Sequence, residues 1–168
     1  MLIAVMAGTA AFGASATDGT FAASNIIGGV RQYIYDVDGT TKLATANGAV
    51  QFLYDGAVTG NGIYPFLQPG LFVGHVIGLP GQAGNTATIT IEVWDKTTAT
   101  TYEQAMLSGH YLPAQTVVIS LGGAGGVPSV ASELFGFTGG KLVAAPEPAT
   151  VALAALGLGG LLLVSRRK

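Results

Sequence analysis

Between residues 86 and 93 apolar and polar positions alternate without a break. Ala87, Ile89, Ile91 and Val93 fall on one side, and Thr86, Thr88, Thr90 and Glu92 on the other. Successive side chains of an extended chain point to opposite faces, so this period of two predicts a β-strand with one face on a core. Residues 32–37 read as a second strand, with Tyr33, Tyr35 and Val37 on one face, and the chain resumes at 40–44 after Asp38-Gly39. Asp-Gly between two such runs predicts a two-residue hairpin, because both central residues of a type I′ turn need positive φ. Further strands are predicted over 50–54, 71–77, 115–121 and 134–137. Gly60-Asn61-Gly62, Pro69-Gly70, Pro80-Gly81 and the glycine-rich run 122–126 punctuate the intervals as turns and connectors. One helix is predicted over 102–107, capped by Thr100 or Thr101 with Glu103 or Gln104 reaching back. Short strands and frequent turns together predict an all-β domain over residues 17–143. Its expected form is an antiparallel, jelly-roll-like β-sandwich with one short helix.

The two ends follow other patterns. Residues 149–164 carry no charge and little polarity beyond Thr150, and they stop against Ser165, Arg166, Arg167 and Lys168. The run is apolar on every face, which argues against a soluble amphipathic helix. It predicts a C-terminal hydrophobic helix placed in a bilayer, with the three cations on the cytoplasmic side. Sixteen residues of helix span roughly 24 Å, short of the roughly 30 Å hydrocarbon core, so the flanks must help or the anchor is transient. At the other end, residues 2–12 have the length of a signal-peptide apolar region, and Ala14-Ser15-Ala16 offers a small-x-small cleavage site. This predicts a signal peptide over 1–16. The first Lys or Arg is Arg31, so the charged region that normally precedes such a run is missing. A translation start upstream of Met1 is the preferred reading. The alternative is that the α-amino group supplies the only positive charge.

The C-terminal pattern resembles the PEP-CTERM sorting domain of exported bacterial proteins. Pro146-Glu147-Pro148, the apolar run and the terminal Arg166, Arg167 and Lys168 stand in the order and at the spacing of that family. The resemblance covers residues 144–168 as a sorting tail with a transmembrane helix. It implies processing by exosortase, a membrane-embedded, transpeptidase-like cysteine protease, at or near Pro146, Glu147 and Pro148. A plain C-terminal anchor is the alternative. Residues 71–123, through Ile89 to Asp95 and Thr101 to Ala105, also resemble a strand-loop-helix element of small exported proteins with the same tail. That likeness implies a β-sandwich and no activity.

Composition narrows the function. Outside the two ends, Arg31, Lys42, Lys96 and Lys141 face eight carboxylates (nine in the chain, less Glu147). A mildly acidic domain is no nucleic-acid surface. Charged residues make up 10% of the chain, against about a quarter in soluble proteins. With no cysteine, neither disulfides nor thiolate metal sites contribute.

Candidate chemistry is sparse. His75 lies in an apolar run and reads as a partly buried strand residue, while His110 follows Gly109 near a turn and reads as exposed. No Ser lies in a Gly-x-Ser-x-Gly elbow, and the glycines of 122–126 lack the Lys-Ser/Thr of a phosphate loop. Asp36-Val37-Asp38-Gly39 resembles the start of a calcium loop but lacks the following acid and the distal Glu. A hairpin turn explains it better than a surface Ca²⁺ shared with Asp55 or Asp18. Trp94 is the one candidate sugar contact, as a stacking platform, against the simpler reading that it caps a sheet edge.

These patterns predict a non-enzymatic envelope protein of structural or adhesive type, without a cofactor. It is expected to pass transiently through the inner membrane and end in the cell envelope or outside the cell. Its expected partners are exosortase, the membrane and extracellular polysaccharide, with no nucleic acid. A carbohydrate-binding module and a small hydrolase are the alternatives.

Overall fold

A computed structural model of the protein describes residues 18–123 and 131–144. The expected signal peptide, the expected tail helix and most of the glycine-rich connector lie outside the described residues. The described chain is predominantly β with one helix, as expected, and its sheets are open.

The largest sheet has six strands and is antiparallel throughout. Its order is β12 (Val143–Ala144), β10 (Gly109–Ser120), β9 (Thr86–Asp95), β5 (Gly48–Tyr54) and β6 (Ala57–Val58), with β7 (Tyr64–Pro65) pairing the other end of β5. β9 takes the centre with the expected register: Ala87, Ile89, Ile91 and Val93 are buried, and Thr86 and Thr88 are exposed. β10 runs further than expected and carries a register shift between Leu112 and Gln115. Pro113, which has no N–H to give a ladder, occupies this bulge.

The Asp-Gly hairpin forms at a different Asp-Gly pair from the one expected. Asp55 (φ 51°) and Gly56 (φ 76°) join β5 to β6, with Tyr54 paired to Ala57. This is the positive-φ pair that a two-residue loop requires. At Asp38-Gly39 only Gly39 has positive φ. There the Asp38 carboxylate accepts the N–H groups of Thr40 and Thr41, each at 2.8 Å, and the Thr41 hydroxyl at 2.6 Å. The chain makes a wider turn, closed by an isolated bridge between Tyr35 and Lys42.

A second layer of short pieces covers one face of the sheet. β1 (Gly19–Ala23) pairs antiparallel with β8 (His75–Leu79). β2 (Ile26–Ile27) and β3 (Val30–Arg31) form a small hairpin, and β4 (Ile34–Tyr35) pairs in parallel with β11 (Gly140–Lys141). Three expectations fail in this layer. Only Ile34 and Tyr35 of the 32–37 run are strand, and the buried side chain is Ile34 rather than the tyrosines. The strand expected over 71–77 starts at His75, because Leu71 and Phe72 are buried from a loop between Gly70 (φ 71°) and Gly74 (φ 90°). Leu134 and Phe137 are buried from a turn rather than a strand.

Between the layers lies one apolar core, with Phe52 of β5 at its centre. Its ring meets Phe21 at 5.6 Å, Phe72 at 5.7 Å and Tyr64 at 5.9 Å in edge-on geometries, and Phe72 passes the contact on to Phe137 at 5.6 Å. Such edge-to-face pairs add about 0.5–1.5 kcal/mol each beyond the area they bury. Gly48 admits the Phe66 ring against the backbone of β5, where any Cβ would collide with it.

Asn25 ties the covering layer together. It is 0% exposed. Its side-chain amide donates to the carbonyls of Gln32 (2.7 Å) and Gly70 (3.0 Å), and its carbonyl accepts from the N–H of Phe72 (2.9 Å). Two other loop segments, one at Gln32 and one holding Gly70 and Phe72, thus find buried hydrogen bonds on one side chain.

Candidate functional site

The outer face of the sheet carries the helix and Trp94, the one candidate sugar contact. α1 (Tyr102–Ser108) starts as expected: the Thr101 hydroxyl accepts from the N–H of Gln104, and the Gln104 side chain accepts from the N–H and hydroxyl of Thr100. Tyr102 and Ala105 turn inward and pack with Ala49, Trp94 and Ala99 as a second, smaller core.

Trp94 lies at the bottom of this core and is 0% exposed. Its indole N–H donates to the carbonyl of Ala99 at 3.1 Å, and its ring meets Tyr102 at 6.2 Å. A stacking platform must present a ring face to solvent. The expected sugar contact at Trp94 is therefore corrected: the ring anchors α1 to the sheet. Tyr102 in turn donates to the carbonyl of Leu112 at 2.8 Å, and burial pushes its hydroxyl pKa up to about 12.

Beside the helix the outer face turns polar. Gln51 donates to Glu92 across the β5–β9 pair at 2.5 Å, and the hydroxyls of Thr90 and Thr116 lie 3.3 Å apart across β9–β10. Burial raises the Glu92 pKa, the hydrogen bond from Gln51 opposes this, and the neighbouring Glu103 adds to the rise. These are cross-strand pairs on a half-covered sheet face.

The histidines are kept apart by the fold. His75 sits in β8 and is half-buried as expected, with its ring 4.8 Å from that of Tyr64. His110 departs from expectation. It is half-buried at the start of β10, with a left-handed φ of 67°. His75 Nε2 and His110 Nδ1 are buried and have no hydrogen-bond partner among the described residues. Neither nitrogen meets a carboxylate, so the hydrolase alternative gains no support here. Among the described residues no three His, Asp or Glu side chains group as metal ligands. Asp36 and Asp38, from the sequence resembling a calcium loop, are engaged by nearby backbone N–H groups.

The exit of the chain is fixed firmly. Leu142 is buried and its N–H donates to the carbonyl of Tyr35 at 3.0 Å. β12 then pairs with the start of β10, Gly109 opposite Ala144 and Tyr111 opposite Val143. The sequence leaves this edge strand two residues before Pro146. Pro146, Glu147, Pro148, Arg166, Arg167 and Lys168 lie outside the described residues. Comparison with known protein families matches this segment.

Residues 144–168 are a PEP-CTERM protein-sorting motif. The match covers the terminal segment that the sequence singles out. A PEP-CTERM motif indicates exosortase-dependent sorting to the cell envelope or beyond, with exosortase as the processing partner. No curated protein and no solved structure matches the chain. Among the described residues no helix is long and apolar enough to cross a membrane, and the run 149–164 lies outside them.

The sequence reading missed two features of this region. One is the enclosure of Trp94, for which the signal was available: Tyr102 and Ala105 are three residues apart on the helix that follows it. The other is β12. Two residues give no periodicity to read.

Proposed function

We propose that this chain is a non-enzymatic cell-envelope protein of structural or adhesive type, carried to its site by the PEP-CTERM tail. The β domain crosses the inner membrane, and residues 149–164 hold it there as a helix with Arg166, Arg167 and Lys168 in the cytoplasm. Exosortase then acts at or near Pro146, Glu147 and Pro148, and the β-sandwich domain passes to the envelope or the exterior. Association with extracellular polysaccharide fits a weakly charged surface with Thr88, Thr90 and Thr116 along one sheet face. The observation that carries this reading is the union of motif, apolar run and basic end within residues 144–168.

Two substitutions separate a processed signal from a plain anchor. Replacing Pro146, Glu147 and Pro148 by Ala leaves the helix able to insert, so uncut precursor accumulates in the membrane of an exosortase-bearing host. Replacing Arg166, Arg167 and Lys168 by Ser weakens retention, so precursor escapes. A Pro146/Glu147/Pro148 variant identical to wild type in size and location would overturn the sorting mechanism and leave an anchor.

A further inference from the structure

We infer that the exposed end of α1, together with Val143, is a lipid-docking face that seats the β domain on the bilayer surface while the tail is inserted. The inference rests on reading residues 149–164 as a membrane segment. Its first support is the pattern of α1. Tyr102 and Ala105 face the sheet, so the helical period puts 103, 104 and 107 on the water side. Glu103 and Gln104 are polar and exposed, as that side requires. Leu107, four residues after Glu103, is not polar, yet it is 87% exposed, and Met106 beside it is 46% exposed.

A single exposed leucine is ordinary. The position of these residues is what distinguishes them. Leu107 stands two residues before Gly109, whose strand partner is Ala144. Val143 is the register partner of Tyr111, on the face that bears the helix, and is itself partly exposed. From Ala144 only two residues of chain lead to Pro146, at most about 7 Å, and five lead to Ala149, at most about 18 Å. An inserted tail therefore holds this end of the domain near the membrane, and Met106, Leu107 and Val143 are exposed apolar side chains within a few residues of the Gly109–Ala144 pair. No basic residue stands in the last turn of α1, so the partner is the apolar acyl boundary rather than an anionic headgroup.

The absence of cysteine makes the test direct. A nitroxide is attached to Leu107→Cys in the full chain, reconstituted into vesicles of phosphatidylethanolamine and phosphatidylglycerol. A second sample carries it at Val118→Cys, also exposed on the outer face but about 30 Å further along β10. On passing from detergent to vesicles, the ratio of oxygen to aqueous nickel-chelate collisions should rise several-fold at position 107 and stay unchanged at 118. Adding Leu107→Asp to a Met106→Cys label should abolish the rise at 106 without altering the far-ultraviolet circular dichroism. Equal water accessibility at 107 and 118, in chain that floats with the vesicles, would overturn the docking face while leaving the membrane tail intact. Chain that fails to float would overturn both. Spin–spin broadening at 107 would assign the face to a second copy and overturn lipid as its occupant.

Discussion

In β9 four inward side chains are buried by alternation alone, whereas across the core no described strand of the covering layer exceeds five residues and one buried amide, Asn25, ties two other loops to its own segment. The sheet is specified by a pattern that any apolar residue of suitable size can satisfy. The covering layer is specified by particular groups in particular places. The two regions should therefore fail differently. The sheet should lose stability in proportion to the volume removed, and the layer in proportion to the hydrogen bonds orphaned.

The largest effects test this contrast. Ile91→Ala removes a fully buried side chain from the middle of the sheet and should cost about 2–5 kcal/mol in denaturant titration. Thr90→Ala, on the opposite face, loses only a hydroxyl pair with Thr116 and should cost about 1 kcal/mol or less. Equal losses at the two positions would break the assigned register. In the covering layer, Asn25→Ala leaves the N–H of Phe72 and the carbonyl of Gln32 without their side-chain partner, and should cost about 3 kcal/mol. Asn25→Asp keeps the shape but turns a carboxyl group toward two carbonyl oxygens. Its pKa must rise in the fold, so the variant should be most stable at low pH and weaken as pH rises. A pH-independent loss would mean that the amide is not the joint of this layer.

The smallest effect concerns Glu92. Its pKa is raised, chiefly by burial, so the folded protein binds that proton more tightly than the unfolded chain. The carboxyl group then favours the fold below its unfolded pKa, and this contribution is lost as pH rises through the folded value. Glu92→Gln keeps an acceptor for Gln51 and removes the charge. It should stabilise modestly at neutral pH and flatten the fall in stability between the unfolded and the raised folded pKa of this carboxyl group. Unchanged pH dependence would mean that Glu92 does not titrate differently in the folded and unfolded chain.

These regions also differ in how far they can be read from sequence. Ala87 to Val93 announce their strand and its buried face, and Thr101 with Gln104 announces the helix start. The covering layer is opaque because its partners are distant: Asn25 reaches Gly70 and Phe72 across 45 and 47 residues. No local signal marks such a joint. The two Asp-Gly pairs show the limit of motif reading. Asp38 is followed by Thr40 and Thr41, whose N–H groups and hydroxyl capture its carboxylate, whereas Asp55-Gly56 is followed by Ala57 and Val58, which simply continue the ladder. Trp94 is legible as a sheet residue, and its cover only through Tyr102 and Ala105, three residues apart on the helix that folds back over it. The sorting tail is the reverse case. It is legible without any fold, because its parts are read in linear order.

On the proposed function, residues 144–168 are a signal to be removed and not a permanent part of the protein. Intact-mass and C-terminal peptide analysis of the protein from the envelope and medium, in a host with exosortase, tests it directly. Processing by exosortase should leave a mature chain ending at or near Pro146, Glu147 and Pro148, with the apolar run and Arg166, Arg167 and Lys168 absent, and full-length tail only when exosortase is deleted. A mature protein that still carries residues 149–168 in the presence of exosortase would contradict it.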